Sequence, residues 1–86
     1  MNRLCINKVL EHLNSLERLF SKYDDRSTKA YQDGELERSI KWDHRCDLVG
    51  REIKGIEFTL HTLGLDAWKT REGEWVIPED DIRRAT

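Results

Sequence analysis

The fold is decided by residues 6–23, INKVLEHLNSLERLFSKY, in which apolar side chains recur at alternating spacings of three and four. The repeating members are Ile6, Val9, Leu13, Leu16, Phe20 and Tyr23. Heptad spacing of this kind predicts an amphipathic helix, which we place within residues 1–23, from Arg3 to Tyr23. Leu10 and Leu19 flank the repeat and widen its apolar face beyond a two-stranded seam. The helix is therefore expected to contact more than one neighbour.

A second heptad run follows in the middle of the chain. Its apolar members are Trp42, Cys46, Val49, Ile53, Ile56, Leu60 and Leu63. The preceding residues 24–27, DDRS, favour a turn because their side chains compete for backbone hydrogen bonds. We therefore place helix 2 at residues 28–63, with Gly64 as the left-handed residue that follows its end. Asp33-Gly34 is also a turn signal, so a break of helix 2 near Gly34 is the alternative.

Two glycines lie inside the predicted second helix. Gly50 and Gly55 each cost about 1 kcal/mol relative to alanine in a helix interior. Gly50 either lets another backbone approach closely or is simply a tolerated surface residue, and the sequence does not separate these two interpretations.

The last quarter of the chain has a different pattern. Residues 66–77 contain two short β-branched and tryptophan-containing segments around a glycine turn, which predicts a β-hairpin. Pro78 ends the second strand, and residues 78–86 are either a final helical turn or a frayed tail. A lone hairpin is marginal in water, so it must pack on something. Phe58 on the outer face of helix 2 needs a cover, and we expect Trp68 and Trp75 to provide it.

These elements predict a single domain, residues 1–86, that is mainly α. Its expected form is a long antiparallel, coiled-coil-like helical hairpin with a small C-terminal β-hairpin. A chain of this size has a limited core, so self-association into a helical bundle, as a homodimer or a higher homo-oligomer, is expected. A monomer would suffice if the C-terminal segment covers the remaining apolar face. The residues predicted to form the oligomer seam are Ile6, Val9, Leu13, Leu16, Phe20, Trp42, Cys46, Val49, Ile53, Ile56, Leu60 and Leu63.

Composition excludes several classes of function. The 86 residues carry 15 Lys and Arg against 17 Asp and Glu, and this acidic balance argues against nucleic-acid binding. No run approaches the roughly 18 apolar residues of a membrane span, so we expect a cytoplasmic protein without membrane contact. Two cysteines are too few for a disulfide scaffold. Cys5 and Cys46 are both expected to behave as small buried hydrophobes.

One dense cluster of possible metal ligands is present. It comprises Asp43, His44, Cys46 and Asp47. On a helix Cys46 falls on the apolar seam, away from His44, so the four side chains do not converge on one ion. We therefore predict a charged solvent face, no metal, no other cofactor and no catalytic residue, and hence no enzymatic activity.

Two kinds of binding function remain. The first is a non-enzymatic protein-interaction module with Trp42, Trp68 and Trp75 as the candidate partner surface, because aromatic anchors contribute much interface energy. The second is a binder of a small anionic, nucleotide-like ligand at a site between subunits. Its candidate contacts are Arg38, Lys41 and Arg45, which recur at helical spacing.

Two segments carry a family resemblance. Residues 30–34, AYQDG, and residues 55–65, GIEFTLHTLGL, together resemble small helical-hairpin proteins of bacteriophages and mobile elements. The resemblance implies an accessory protein that acts by binding a host protein, and it implies no catalytic residue.

Overall fold

The computed structural model of the chain describes residues 2–86. Two long helices, α1 (Arg3–Gln32) and α2 (Leu36–Thr62), form an antiparallel hairpin. Two short strands follow, β1 (Trp68–Lys69) and β2 (Trp75–Val76), and a last helix, α3 (Glu79–Ala85), ends the chain. The predicted helical hairpin with a small C-terminal β-hairpin is confirmed.

The break predicted at residues 24–27 is wrong, because α1 continues through them to Gln32. The heptad spacing of α1 also continues, at Ser27 and Ala30, which are both buried. Ser27 faces Ser39 of α2, and each hydroxyl donates to the other residue's carbonyl oxygen at 3.0 Å. Serine therefore occupies a seam position on each helix, where the facing serine satisfies its hydroxyl.

The chain reverses at residues 33–35 instead. Gly34 has φ +77°, and its amide donates to the Tyr31 carbonyl while that of Glu35 donates to the Ala30 carbonyl. This is a Schellman motif, which needs a left-handed residue and satisfies the last carbonyls of the helix. The end of α2 repeats it: Gly64 has φ +81°, as predicted, and the amide of Leu65 donates to the carbonyl of Leu60.

The core lies between the two long helices and under the C-terminal segment. Ile6 and Leu13 of α1 and Leu65 after α2 are its largest fully buried side chains. Ala67, Trp75, Ile77 and Ile82 join the same cluster from the C-terminal segment. Within residues 2–86, neither long helix has the sustained apolar character that a membrane-spanning segment requires.

The C-terminal segment packs on α1, which differs from the expected contact with Phe58. The strands pair antiparallel, Trp68 opposite Val76 and Lys69 opposite Trp75, and β2 contacts α1. Trp75 is buried in the core, whereas Phe58 remains 74% exposed. The prediction failed because the periodicity of α2 shows that Phe58 is off the seam but does not show which helix offers the hairpin a polar partner.

That polar partner is Asn14 of α1. Its side-chain oxygen accepts from the Trp75 amide at 2.6 Å, and its side-chain nitrogen donates to the Trp75 carbonyl at 3.2 Å. The Asn14 amide therefore pairs with β2 as a neighbouring strand would. Two ion pairs add to this attachment, Lys69 to Glu17 at 2.6 Å and Arg3 to Glu79 at 2.7 Å.

Asp81 of α3 holds the segment to the residues that follow α2. It is buried, accepts a hydrogen bond from the Asp66 amide at 2.9 Å and pairs with Arg84. The Asp66 amide first, and then Arg84, keep the pKa of the Asp81 carboxyl below its ordinary value. The ionised carboxylate therefore contributes to the stability of this corner.

Replacing Asn14 with alanine should lower the free energy of unfolding by about 2 kcal/mol, because it leaves the amide and carbonyl of Trp75 without their partner. Urea denaturation followed by circular dichroism measures the change. Asn7→Ala is the matched control, since Asn7 is exposed on the same helix. Equal effects of the two substitutions would contradict the role of Asn14.

Acid should weaken the protein partly through Asp81. A carboxyl whose pKa is lowered by folding contributes stability above its unfolded pKa of about 3.9, and this contribution is lost as the pH falls through the folded pKa. Asp81→Asn should therefore be less stable at neutral pH and should lose less stability on acidification to about pH 3 than the parent chain. Asp80→Asn, on the adjacent exposed residue, should behave as the parent does. An unchanged acid dependence in Asp81→Asn would refute the assignment.

Candidate functional site

Most of the predicted oligomer seam is used within the single chain. Seven of its twelve members are buried there: Ile6, Leu13, Leu16, Cys46, Val49, Ile53 and Leu60. Val9, Phe20, Trp42 and Ile56 are partly buried, and Leu63 is 50% exposed. Most of the heptad seam is therefore an intramolecular contact between α1 and α2. Its five other members, Val9, Phe20, Trp42, Ile56 and Leu63, keep part of their surface accessible.

The three tryptophans do not form one surface, so the predicted partner surface is not assembled as expected. Trp75 is buried, and Trp68 is 53% exposed in the strand that pairs with it. Trp42 is partly buried beside Tyr23, with ring centroids 5.5 Å apart. Asn14, which binds the backbone of Trp75, and Tyr23, which contacts Trp42, are nine positions apart on α1. That spacing corresponds to about 13 Å along the helix axis. The Trp42 ring also carries the guanidinium groups of Arg26 at 4.8 Å and Arg45 at 4.9 Å.

An apolar groove lies between the N-terminal part of α1 and the C-terminal part of α2. Its volume is about 590 Å³, and its lining consists of Val9, Glu52, Gly55, Ile56, Thr59, Leu60 and Leu63. Glu52 is the only charged residue among the described residues that line it, and its carboxylate lies 3.6 Å from the Nε2 of His12. We refer to these residues as the apolar groove.

The groove opens on the side of the hairpin that the C-terminal segment leaves free. Thr59 lines the groove, whereas the Nε2 of His61 lies 3.1 Å from the carbonyl oxygen of Ala67 in the C-terminal segment. Residues two positions apart on a helix point about 200° apart. The segment therefore covers one side of α2, and the groove is on the other.

Gly55 has no evident role within the single chain. Its φ is not positive, and a Cβ built on it has no atom within 4 Å among the described residues. Gly50 differs, because a Cβ there would lie 3.2 Å from the Phe20 ring. The neighbour that approaches Gly50 is therefore a side chain and not the backbone that one of its two interpretations required. Gly55, by contrast, faces open space in the groove.

A second concavity lies at the turn end of the hairpin. It has a volume of about 420 Å³ and is lined by Arg26, Lys29, Ala30, Asp33, Glu35, Arg38 and Trp42. We refer to these residues as the turn cleft. Of the predicted anion contacts, Arg38 lies in this cleft, and Lys41 lies with Arg38 in an adjoining shallow depression. Arg45 lines neither and stacks on Trp42 instead, so the three do not converge.

The two cysteines have different environments. Cys46 is buried, and its thiol lies 3.6 Å from the Phe20 carbonyl. Burial, followed by the charges of Asp24, Asp43 and Asp47, raises the pKa of the Cys46 thiol. Cys5 is exposed, so the expectation that both are buried is wrong for Cys5. Cys5 comes three positions after Asn2, whose side-chain oxygen accepts from the Cys5 amide, and residues 2–5 are all exposed.

The four possible ligands singled out in the sequence, Asp43, His44, Cys46 and Asp47, do not come together in the part of the chain that the structure describes. No group of three or more His, Cys, Asp or Glu side chains is placed there to hold an ion. Cys46 is buried in the seam, while Asp43, His44 and Asp47 are exposed.

Sequence reasoning missed two sets of residues that shape these concavities. Thr59 and Gly55 line the apolar groove. Gly55, a glycine without an evident purpose inside a predicted helix, is the signal in the sequence that could have indicated this surface. Arg26 and Lys29 line the turn cleft. The sequence predicted a break at residues 24–27, and with that break their position opposite Arg38 is not evident. That position depends on α1 extending to Gln32.

Comparison of the chain with protein-family models, curated proteins and solved structures gives no match. The resemblance to helical-hairpin proteins of phages and mobile elements therefore stays a prediction.

Proposed function

We propose that this chain is a non-enzymatic protein-interaction module whose apolar groove docks a second copy of the chain. The observation that carries the proposal is an apolar groove with Gly55 in its wall. A glycine costs about 1 kcal/mol in a helix interior and here has no intrachain reason. A helix packed closely against Gly55 from outside would supply one, because the missing side chain lets two backbones approach.

The character of the groove favours a copy of the same chain as the occupant. Homodimer interfaces are more apolar than other surfaces, and charged residues are depleted at their centres. Val9, Ile56 and Leu63 contribute apolar surface, and among the described lining residues only Glu52 is charged. A two-fold axis would bring this apolar surface against itself, as a self-complementary interface requires.

The shape of the molecule provides enough area for such a pairing. The chain measures 51 × 21 × 16 Å, so its long sides are at least 51 by 16 Å. Overlap along the full length of such a side would cover roughly 800 Å² per partner, which is the standard size of a stable, specific interface. Two hairpins joined in this way form a four-helix bundle, with the C-terminal segments on the outside. A helix of a host protein is the alternative occupant.

Leu63→Lys should abolish or strongly weaken self-association. Each of the two copies would lose about 1.5 kcal/mol of apolar burial, which together is about a hundredfold in Kd. Sedimentation velocity and light scattering over a wide concentration range measure the mass. Leu36→Lys is the matched control, because Leu36 is a comparably exposed leucine at the other end of α2. A parent chain that remains monomeric at millimolar concentration would overturn the proposal and direct attention to a host protein.

Gly55→Ala separates the stability of the chain from its association. Alanine should raise helix stability by about 1 kcal/mol, and the open space around Gly55 accommodates the methyl group in one chain. The same methyl group should weaken the dimer at least tenfold if a second backbone packs there. A variant that is more stable and equally dimeric would rule out close packing at Gly55.

A further inference from the structure

We propose that the turn cleft binds a small phosphate monoester that also carries hydroxyl groups, the chemistry of a sugar phosphate. Arg26 and Lys29, one turn apart on α1, face the cleft together with Arg38 of α2. Cationic side chains from two helices thus converge on one concavity at the closed end of the hairpin. This site lies within one chain and does not depend on the proposed self-association.

The charges of the cleft are incompletely neutralised. Arg38 is paired with Glu35 at 3.0 Å. Among the described residues, Arg26 and Lys29 have no carboxylate within ion-pair distance, and Arg26 instead lies on the Trp42 ring. Two cations without an acidic partner at the wall of a cleft favour an anion, because charge-assisted hydrogen bonds to phosphate are among the stronger polar contacts.

The two helix ends beside the cleft add little to this charge. The carbonyls at the end of α1 are satisfied by the amides of residues 33–35. The start of α2 carries the acidic side chains of Glu35 and Glu37, which offset its positive helix end. The attraction to an anion therefore rests on the side chains of Arg26, Lys29 and Arg38.

Two carboxylates in the same lining define the rest of the ligand. Asp33 and Glu35 would repel a bare anion that filled the cleft, but they accept hydrogen bonds from hydroxyl groups. A ligand with phosphate at one end and hydroxyls at the other can pair with the cationic side chains and with the carboxylates of the lining. Trp42 contributes a side wall, since Arg26 and Arg45 already lie on its ring.

Two-dimensional NMR of the intact, nitrogen-labelled chain tests this assignment, because the three tryptophans report from different places. Titration with ribose 5-phosphate should shift the indole signal of Trp42 saturably and leave those of Trp68 and Trp75 nearly unmoved. Inorganic phosphate should bind at least tenfold more weakly, and ribose without phosphate should not bind. A Trp42 signal that does not respond overturns the proposal, and equal affinity for inorganic phosphate overturns the role of the two carboxylates.

Lys29→Gln should weaken ribose 5-phosphate binding about tenfold, which corresponds to one lost charge-assisted hydrogen bond. Lys22→Gln is the matched control, since Lys22 is an exposed lysine of α1 outside the cleft. Equal loss in both variants would mean diffuse attraction to the surface and would refute a site. The measured mass of the same samples reports on the proposed dimer separately, so the two proposals fail independently.

Discussion

The antiparallel register of α1 against α2 is the constraint on which the rest of the structure depends. The Schellman turn at Gly34 sets it at one end, and the reciprocal hydrogen bonds of Ser27 and Ser39 hold it six positions to either side of Asp33. The contact of Cys46 with the Phe20 carbonyl follows the same register, thirteen positions to either side. A shift by one heptad would place the serine hydroxyls against apolar side chains, where an unpaired hydroxyl costs at least about 1 kcal/mol.

This register also decides which side of the hairpin is closed. The Asn14 side chain is presented where β2 can pair with it, and the C-terminal segment then buries Trp75, Ile77 and Ile82 on that side. The segment is attached at several points, through Asn14, Glu17, Arg3 and the Asp81 corner, so the closure does not rely on the two short strands alone. On the opposite side Val9, Ile56 and Leu63 remain at the surface. The apolar groove therefore lies on the side that the C-terminal segment does not cover.

The two ends of the hairpin consequently have different chemistry. The apolar groove is near the chain termini and contains one charge, whereas the turn cleft contains three cations and two carboxylates. Gly55 and Arg38 are separated by about 25 Å of helix, so a change at one concavity leaves the other intact.

Sequence by itself determined the two amphipathic helices, the left-handed Gly64 and the C-terminal β-hairpin, because hydrophobic period and turn residues act locally. It did not determine that Ser27 belongs to the seam. A serine in a polar segment favours a turn, and only the facing Ser39, which satisfies the Ser27 hydroxyl, makes a buried position possible. The tertiary structure alone decided that Trp75 packs on α1 beside Asn14, that Phe20 occupies the space above Gly50, and that Gly55 faces an open groove. Periodicity shows which side of a helix is apolar, but the neighbour that covers it is selected by contacts between residues far apart in the chain.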